Sequence, residues 1–323
     1  MSDGEGRIPD FYLVGHGKSG TTALYEMLAH HPQVFVGAKE PRYFATEMRE
    51  GDIPRPLGNP STLEQYMAWF EGAAPEQVVG DISPWYLWSH AAPALIAEAR
   101  PDARIIAILR EPASFLHSLH RQWLQLYVES ETDFSKALTL DGPRSEGREM
   151  PSSGYWPRAV IYREHVRYTE QLKRYEALFG REQMLVMIYE DYRRDNAAAL
   201  REILRFVGVD EDPTGAAIPL RQANPSVEVR SQRVNELLRR ATTPSSPAAR
   251  VLKRSLQTLT PVRMRQKAIQ TARRNVVFGD LKPPEERVMR DLRRSLKGEV
   301  EALSKHMGRD LVSLWGYDAL DLD

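Results

Sequence analysis

The chain of 323 residues contains no cysteine. That absence excludes disulfides, thiolate metal sites and a cysteine nucleophile, and it accords with a reducing compartment. Charge of either sign is not in excess: 44 lysines and arginines face 44 aspartates and glutamates. Overall charge therefore gives no reason to expect nucleic acid or general membrane attraction, and any anion site has to be local. No stretch reaches about 18 uninterrupted apolar residues, and the opening MSDGEGRIPD lacks the basic start and apolar run of a leader. Neither export nor a membrane span is expected, and the expected compartment is the cytoplasm. What is present is an ordinary globular composition, 42% hydrophobic and 27% charged, in a chain long enough to bury a full core.

Short apolar runs bounded by turn residues or charges predict strands over 11–14, 34–36, 78–81, 104–109 and 184–189. Apolar spacing of 3.6 residues predicts helices over 21–29, 91–99, 113–126, 160–178, 197–207 and 284–306. The alternation predicts a parallel α/β sheet. Two stretches rich in Gly, Pro and Ser, 141–157 and 241–248, read as insertions able to form mobile loops over a site.

The most informative stretch is FYLVGHGKSGTTALYEMLAHHP, residues 11–32: strand, glycine-rich turn, helix. Such a turn presents free backbone N–H groups at a helix N-terminus beside Lys18, a geometry that cradles phosphate or sulfate. Gly15, Gly17 and Gly20 allow close approach or positive φ, and the hydroxyls of Ser19, Thr21 and Thr22 add donors. Gly17-Lys18-Ser19 matches the end of a nucleoside-triphosphate P-loop. The first glycine of that motif would fall at position 12, which is Tyr12, so the long phosphate-wrapping loop is missing.

Lys18-Ser19-Gly20-Thr21-Thr22 resembles the 5′-phosphosulfate loop of the sulfotransferases that use 3′-phosphoadenosine 5′-phosphosulfate (PAPS). In RIIAILREPASFLHSLHRQW, Arg110 and Ser118 are similar to the arginine and serine with which that family holds the 3′-phosphate. A guanidinium at the carboxyl end of a parallel strand suits bidentate phosphate contact on its own chemistry. A P-loop kinase would usually need a magnesium-holding aspartate after such a strand. In VFVGAKEPRYFATE, Glu40 ahead of Tyr43 and Phe44 resembles the catalytic base of the carbohydrate-modifying and many bacterial members. An alcohol needs such a group to remove its proton as the bond to sulfur forms, and a raised pKa or close approach is expected to make the carboxylate serve. Lys39 and Arg42 beside it pair with Glu40 or bind an anionic acceptor. VVGDISPWYLWSH resembles the acidic-Lys-Thr-Pro-aromatic segment of glycosaminoglycan sulfotransferases at Asp81, Ser83, Pro84 and Tyr86, but position 82 is isoleucine where the lysine would stand. That departure speaks against a heparan-like polyanion. Trp85, Tyr86 and Trp88 either stack on a flat acceptor or belong to the core.

The resemblance covers roughly residues 10–210, with a fainter echo in LSKHMGRDLVSLW. It implies a single P-loop-like α/β domain over 1–323, a central parallel sheet flanked by helices plus mobile substrate-covering loops. Residues 10–210 would form the core with the cofactor site, and 211–323 a helical part with a basic covering segment. It also implies that Tyr162 lines the site. The stretch 239–279 is dense in lysine and arginine and has no acid. There Arg273 and Arg274 are candidates for cofactor contact, while docking of an anionic partner or lipid surface, or a solvated basic helix, remain the other readings.

The expected reaction is in-line sulfuryl transfer from PAPS, leaving PAP, to a hydroxyl or an amine of a glycan or small natural product. Lys18 would stabilise the leaving phosphate and Glu40 would act as base, with no metal and no nucleic-acid partner. His16 or His90 is an alternative base. A nucleotide kinase and a catalytically silent nucleotide-binding scaffold are the alternative functions, separated by magnesium dependence and by turnover.

Overall fold

A computed structural model describes residues 7–48, 59–126, 128–151, 157–212, 228–229, 278–279 and 284–321. In chain order its main elements are β1 (Phe11–Gly15), α1 (Thr21–Ala29), β2 (Val34–Val36), α2 (Leu63–Met67), β3 (Val78–Ile82), α3 (Ala92–Ala99), β4 (Arg104–Leu109) and α4 (Pro112–Leu126). There follow α5 (Phe134–Thr139), α6 (Asp141–Ser145), α7 (Tyr168–Phe179), β5 (Met184–Ile188), α8 (Tyr189–Arg194) and α9 (Asn196–Val207). Beyond them lie the short antiparallel pair β6 (Glu228–Val229) and β7 (Phe278–Gly279), then α10 (Glu286–Met307) and α11 (Leu311–Leu314).

Strands β1 to β5 form one five-stranded sheet in the order β2-β3-β1-β4-β5, every pairing parallel. The expected parallel α/β sheet is therefore observed, with each strand end within a residue of its predicted position. Strands of a sheet covered on both faces read as continuous apolar runs, and period-two alternation divides them between two cores. Phe11, Leu13, Ile106 and Ile108 pack with α1 and α9. Tyr12, Val14, Ile105, Ala107 and Leu109 pack on the other face with α4, α7 and α10. On α10 the buried residues Met289, Leu292, Leu296, Val300 and Leu303 recur at three and four positions, one stripe of an amphipathic helix laid on that second core.

Strand order reverses about β1, with β3 on one side and β4 on the other, and the chain leaves all five strands at the same edge. A crevice at such a point, outside the carboxyl ends, is where open α/β sheets bind ligands.

Two expectations need correction. The helix predicted over 160–178 begins only at Tyr168; Pro157–Val160 and Tyr162–Val166 are separate 3₁₀ turns. The Asp141 carboxylate accepts from the backbone N–H groups of Tyr162 (2.7 Å) and Arg163 (3.0 Å), and this long-range contact fixes the turn in place of a continuous helix. The stretch 141–157, predicted as a mobile loop, starts as α6, and residues 152–156 lie outside the described residues. Arg144 on α6 is anchored: its guanidinium makes a fully buried two-point pair with Glu129, at 2.7 and 2.9 Å, and also donates to the Val160 carbonyl. The predicted loop 241–248 lies outside the described residues altogether.

Removing one partner of a buried ion pair strands the other charge. Arg144→Ala is therefore expected to destabilise the fold by about 3–5 kcal/mol, read as a lower urea midpoint. An unchanged midpoint would show that the pair does not anchor this segment.

Candidate active site

The site begins where β1 ends. Gly20 sits at the N-terminus of α1 in the left-handed region (φ 81°), and no side chain caps the helix, so its first N–H groups face outward. A Cβ at Gly20 would lie 2.4 Å from the Tyr192 ring, so both conformation and space demand glycine. Lys18 itself is left-handed (φ 67°), which is uncommon for a residue with a side chain and turns the loop tightly here. The Ser19 hydroxyl is buried and has no hydrogen-bond partner among the described residues.

Arg110, at the end of β4, donates from Nη1 to the Lys18 carbonyl at 3.0 Å, and its guanidinium lies 5.1 Å from the centre of the Tyr189 ring. Ser118 is two helical turns further along α4; its hydroxyl is likewise buried and without a partner among the described residues. Burial, followed by the charges of Arg110, Arg121 and Lys39, lowers the Lys18 pKa below that of an ordinary lysine, with Glu40 opposing. Several cations thus converge on one loop with a single carboxylate among them. Partly buried like charges are costly unless a counter-charge arrives, so this loop favours an anionic ligand.

Glu40 and Arg42 follow β2, both with left-handed backbone (φ 60° and 54°). The Glu40 carboxylate is held three ways: it pairs with Arg42, lies 3.4 Å from Lys39 and accepts from Trp85 Nε1 at 3.2 Å. Lys39 also donates to the Thr22 hydroxyl at 2.5 Å, tying this loop to the N-terminus of α1. Burial pushes the Glu40 pKa up, but Arg42, Lys39 and the two side-chain hydrogen bonds outweigh it and hold the carboxyl below its usual range. Of the two expected routes, a raised pKa is therefore not the one found at this position, which leaves close approach.

Below this loop Asp81 is fully enclosed, accepting from Tyr66 (2.8 Å), Tyr86 (2.9 Å) and Ser83 (2.7 Å). Burial, resisted by these hydrogen bonds, raises its pKa to about 6. Ser83 Oγ in turn accepts from the Arg42 backbone N–H at 3.1 Å, so Asp81 and Tyr86 brace the Glu40 loop from beneath. Trp85 stacks on Trp123 with ring centres 4.9 Å apart, and Trp88 stacks on His165; both are buried. Tyr162 is enclosed as well, its hydroxyl donating to Glu129 at 3.0 Å beside the Arg144 pair. Of the residues expected to meet an acceptor, Lys39 and Arg42 are partly exposed at the mouth, whereas Asp81, Trp85, Tyr86 and Tyr162 lie inside the protein.

His16 is buried against Gln171 Oε1 at 3.1 Å, and burial lowers its pKa to about 3, leaving it neutral and enclosed. His90 lies apart, against Arg174. Arg273 and Arg274, with most of 239–279, lie outside the described residues. Among the described residues no three His, Asp or Glu side chains form a metal-binding group, and no helix is long and apolar enough to cross a membrane. Two features escaped the sequence reading. Arg121, one turn beyond Ser118 on α4, was available from helical spacing; the Trp85 to Glu40 bond, spanning 45 positions, carried no local signal.

This site can be set beside known proteins. The sulfotransferase domain family matches residues 8–236, and the chain belongs to it. It is 28% identical over 212 residues to the bifunctional heparan sulfate N-deacetylase/N-sulfotransferase 4 of Mus musculus, covering 62% of this chain and 22% of that one. To the heparan sulfate glucosamine 3-O-sulfotransferase 3A1 of Mus musculus it is 26% identical over 213 residues, 65% of this chain and 48% of that one. The chain thus spans less than half of either relative. A sulfotransferase from Alicyclobacillus acidocaldarius shares the fold over 96% of this chain and 99% of its own, at a TM-score of 0.62 and 23% identity. The resemblance to the carbohydrate-modifying branch, first seen in three short motifs, extends through these relatives.

Proposed function

We propose that this chain transfers a sulfuryl group from PAPS to a hydroxyl or amine of a glycan or small natural product. One observation carries the reading: the cations Lys18 and Arg110 meet at the carboxyl ends of β1 and β4, and the loop and the helix that follow those strands each hold a buried hydroxyl, Ser19 and Ser118, without a partner among the described residues. Cations and unpartnered hydroxyls on two adjacent strand-to-helix turns suit a ligand with more than one phosphate.

Lys18, Ser19, Gly20, Thr21 and Thr22 would hold the 5′-phosphosulfate, and Arg110 with Ser118 the 3′-phosphate. When bound, PAPS supplies an activated sulfuryl group on a phosphate leaving group. Lys18 and the open amides of α1 hold the negative charge that develops there, a fixed array that needs no rearrangement during reaction. Glu40 takes the acceptor proton, oriented by Trp85 Nε1 and by a backbone held through Ser83. Positioning and electrostatics supply most of the rate, as in phosphoryl transfer. The relatives named above favour a glycan. Isoleucine at 82, and the sharing of Lys39 and Arg42 with Glu40, weigh against a heparan-like polyanion.

Calorimetry without magnesium tests the reading. PAP is expected to bind much more tightly than 5′-AMP or ADP, and Arg110→Ala to abolish that preference. Equal binding of the three nucleotides would overturn the assignment and restore the kinase alternative.

A further inference from the structure

Arg110 and Ser118 are joined by a short turn, Glu111-Pro112, and that turn is gripped from the distant segment that follows α11. The Glu111 side chain caps α4, accepting from the N–H groups of Ala113 (3.1 Å) and Ser114 (2.7 Å). The same carboxylate accepts a 2.6 Å hydrogen bond from the hydroxyl of Tyr317, a fully buried residue 206 positions away. A second bridge runs beside it: Glu190, on α8, accepts from the Glu111 backbone N–H (3.3 Å) with one oxygen and from Trp315 Nε1 (3.0 Å) with the other. Tyr168 closes the grip by donating to the Arg110 carbonyl at 3.0 Å.

These bonds converge on the peptide units between Arg110 and the first turn of α4, so they set where both side chains point. Tyr317 is not needed to fill space through its oxygen; the ring alone does that. Its hydroxyl is spent on a carboxylate, a charge-assisted bond of the kind that fixes orientation. Glu111 is also within reach of Arg293 on α10, at 3.5 Å, so the carboxylate has a counter-charge without Tyr317.

We infer that Tyr317 and Trp315 are positioning residues for the 3′-phosphate clamp, acting through Glu111 and Glu190 to hold Arg110 and Ser118 in one geometry. The inference rests on the PAPS reading above and extends it to the far end of the described chain. Since Tyr317 and Trp315 touch neither cluster directly, their effect falls on the difference between ligands with and without the 3′-phosphate. The amides of α1 and Lys18 are built on other elements and meet this clamp through the bond from Arg110 Nη1 to the Lys18 carbonyl, so the 5′ end is affected less than the 3′ end.

The test is the ratio of PAP to 5′-AMP affinity, measured by calorimetry in the intact chain, with thermal unfolding in parallel. Tyr317→Phe is expected to weaken PAP binding about tenfold, the size of one lost charge-assisted hydrogen bond, and to weaken 5′-AMP binding much less, so that the ratio falls. Trp315→Phe is expected to shift the ratio in the same direction through Glu190. Unchanged affinity for both nucleotides in both variants would make these residues mere packing, and weakening of both by the same factor would make the effect general loosening; either result overturns the inference while leaving the PAPS reading intact. Absence of any 3′-phosphate preference in the unsubstituted protein would instead overturn that reading, and this inference with it.

Discussion

Lys18→Ala is expected to reduce sulfuryl transfer about 10³-fold or more while leaving the protein at least as stable as before. Both halves follow from the same surroundings. The partly buried ammonium lies in the field of Arg110, Arg121 and Lys39, and its lowered pKa means that the folded chain holds this charge at a cost. By linkage, a lysine with a depressed folded pKa takes up its proton less readily folded than unfolded, so its charge lowers stability at neutral pH. Deleting it removes that repulsion and also removes the charge proposed to face the leaving phosphate. Initial-rate kinetics with a thermal unfolding curve measure both. Near-normal turnover would take Lys18 out of the chemistry, and a large loss of stability would contradict the account of its surroundings.

Glu40→Gln is expected to abolish most transfer, by about 10²–10⁴-fold, with PAP binding equal or tighter. Gln keeps the shape and the acceptor for Trp85 but cannot take a proton. It also leaves Lys39 and Arg42 without their carboxylate, which favours an anionic ligand nearby. The pH dependence has a definite sign. Because Glu40 is held below the usual carboxylate range, it is ionised throughout neutral pH. The acid side of the kcat/KM profile is therefore lost only as pH falls through that depressed value. A base with so low a pKa is intrinsically weak, so its contribution comes from being fixed in place. If Glu40→Gln weakened PAP binding as much as transfer, its role would be in binding.

Much of this architecture was legible in the sequence because the signals are local. An apolar run closed by Gly-x-Gly-Lys and a helix needs no distant partner to declare itself, and β1 with α1 formed where the pattern placed them. Arg110 was legible for the same reason, as a cation at the end of a strand. The segment 160–178 was misread because its apolar spacing continues through residues whose N–H groups are taken by Asp141. The state of Glu40 was hidden for a related reason: its pKa depends on Trp85 and on a loop conformation that spacing does not reveal. The aromatic cluster after β3 looked suited to a ligand because composition cannot distinguish a ring at a mouth from one beneath it. Tyr86 turned out to face a buried carboxylate.

The sheet's uniform direction has a practical side. The groups named above follow the carboxyl ends of the strands, on one rim. At the opposite rim the strands start from plain structural contacts: Asp10 accepts from the N–H of Val79 and pairs with Arg100 at 2.9 Å, and its carbonyl receives Arg104. A tether, a solid support or a neighbouring module joined on that side leaves the rim of the candidate site open to solvent. Immobilising the protein by that rim is thus the orientation that keeps the candidate site accessible.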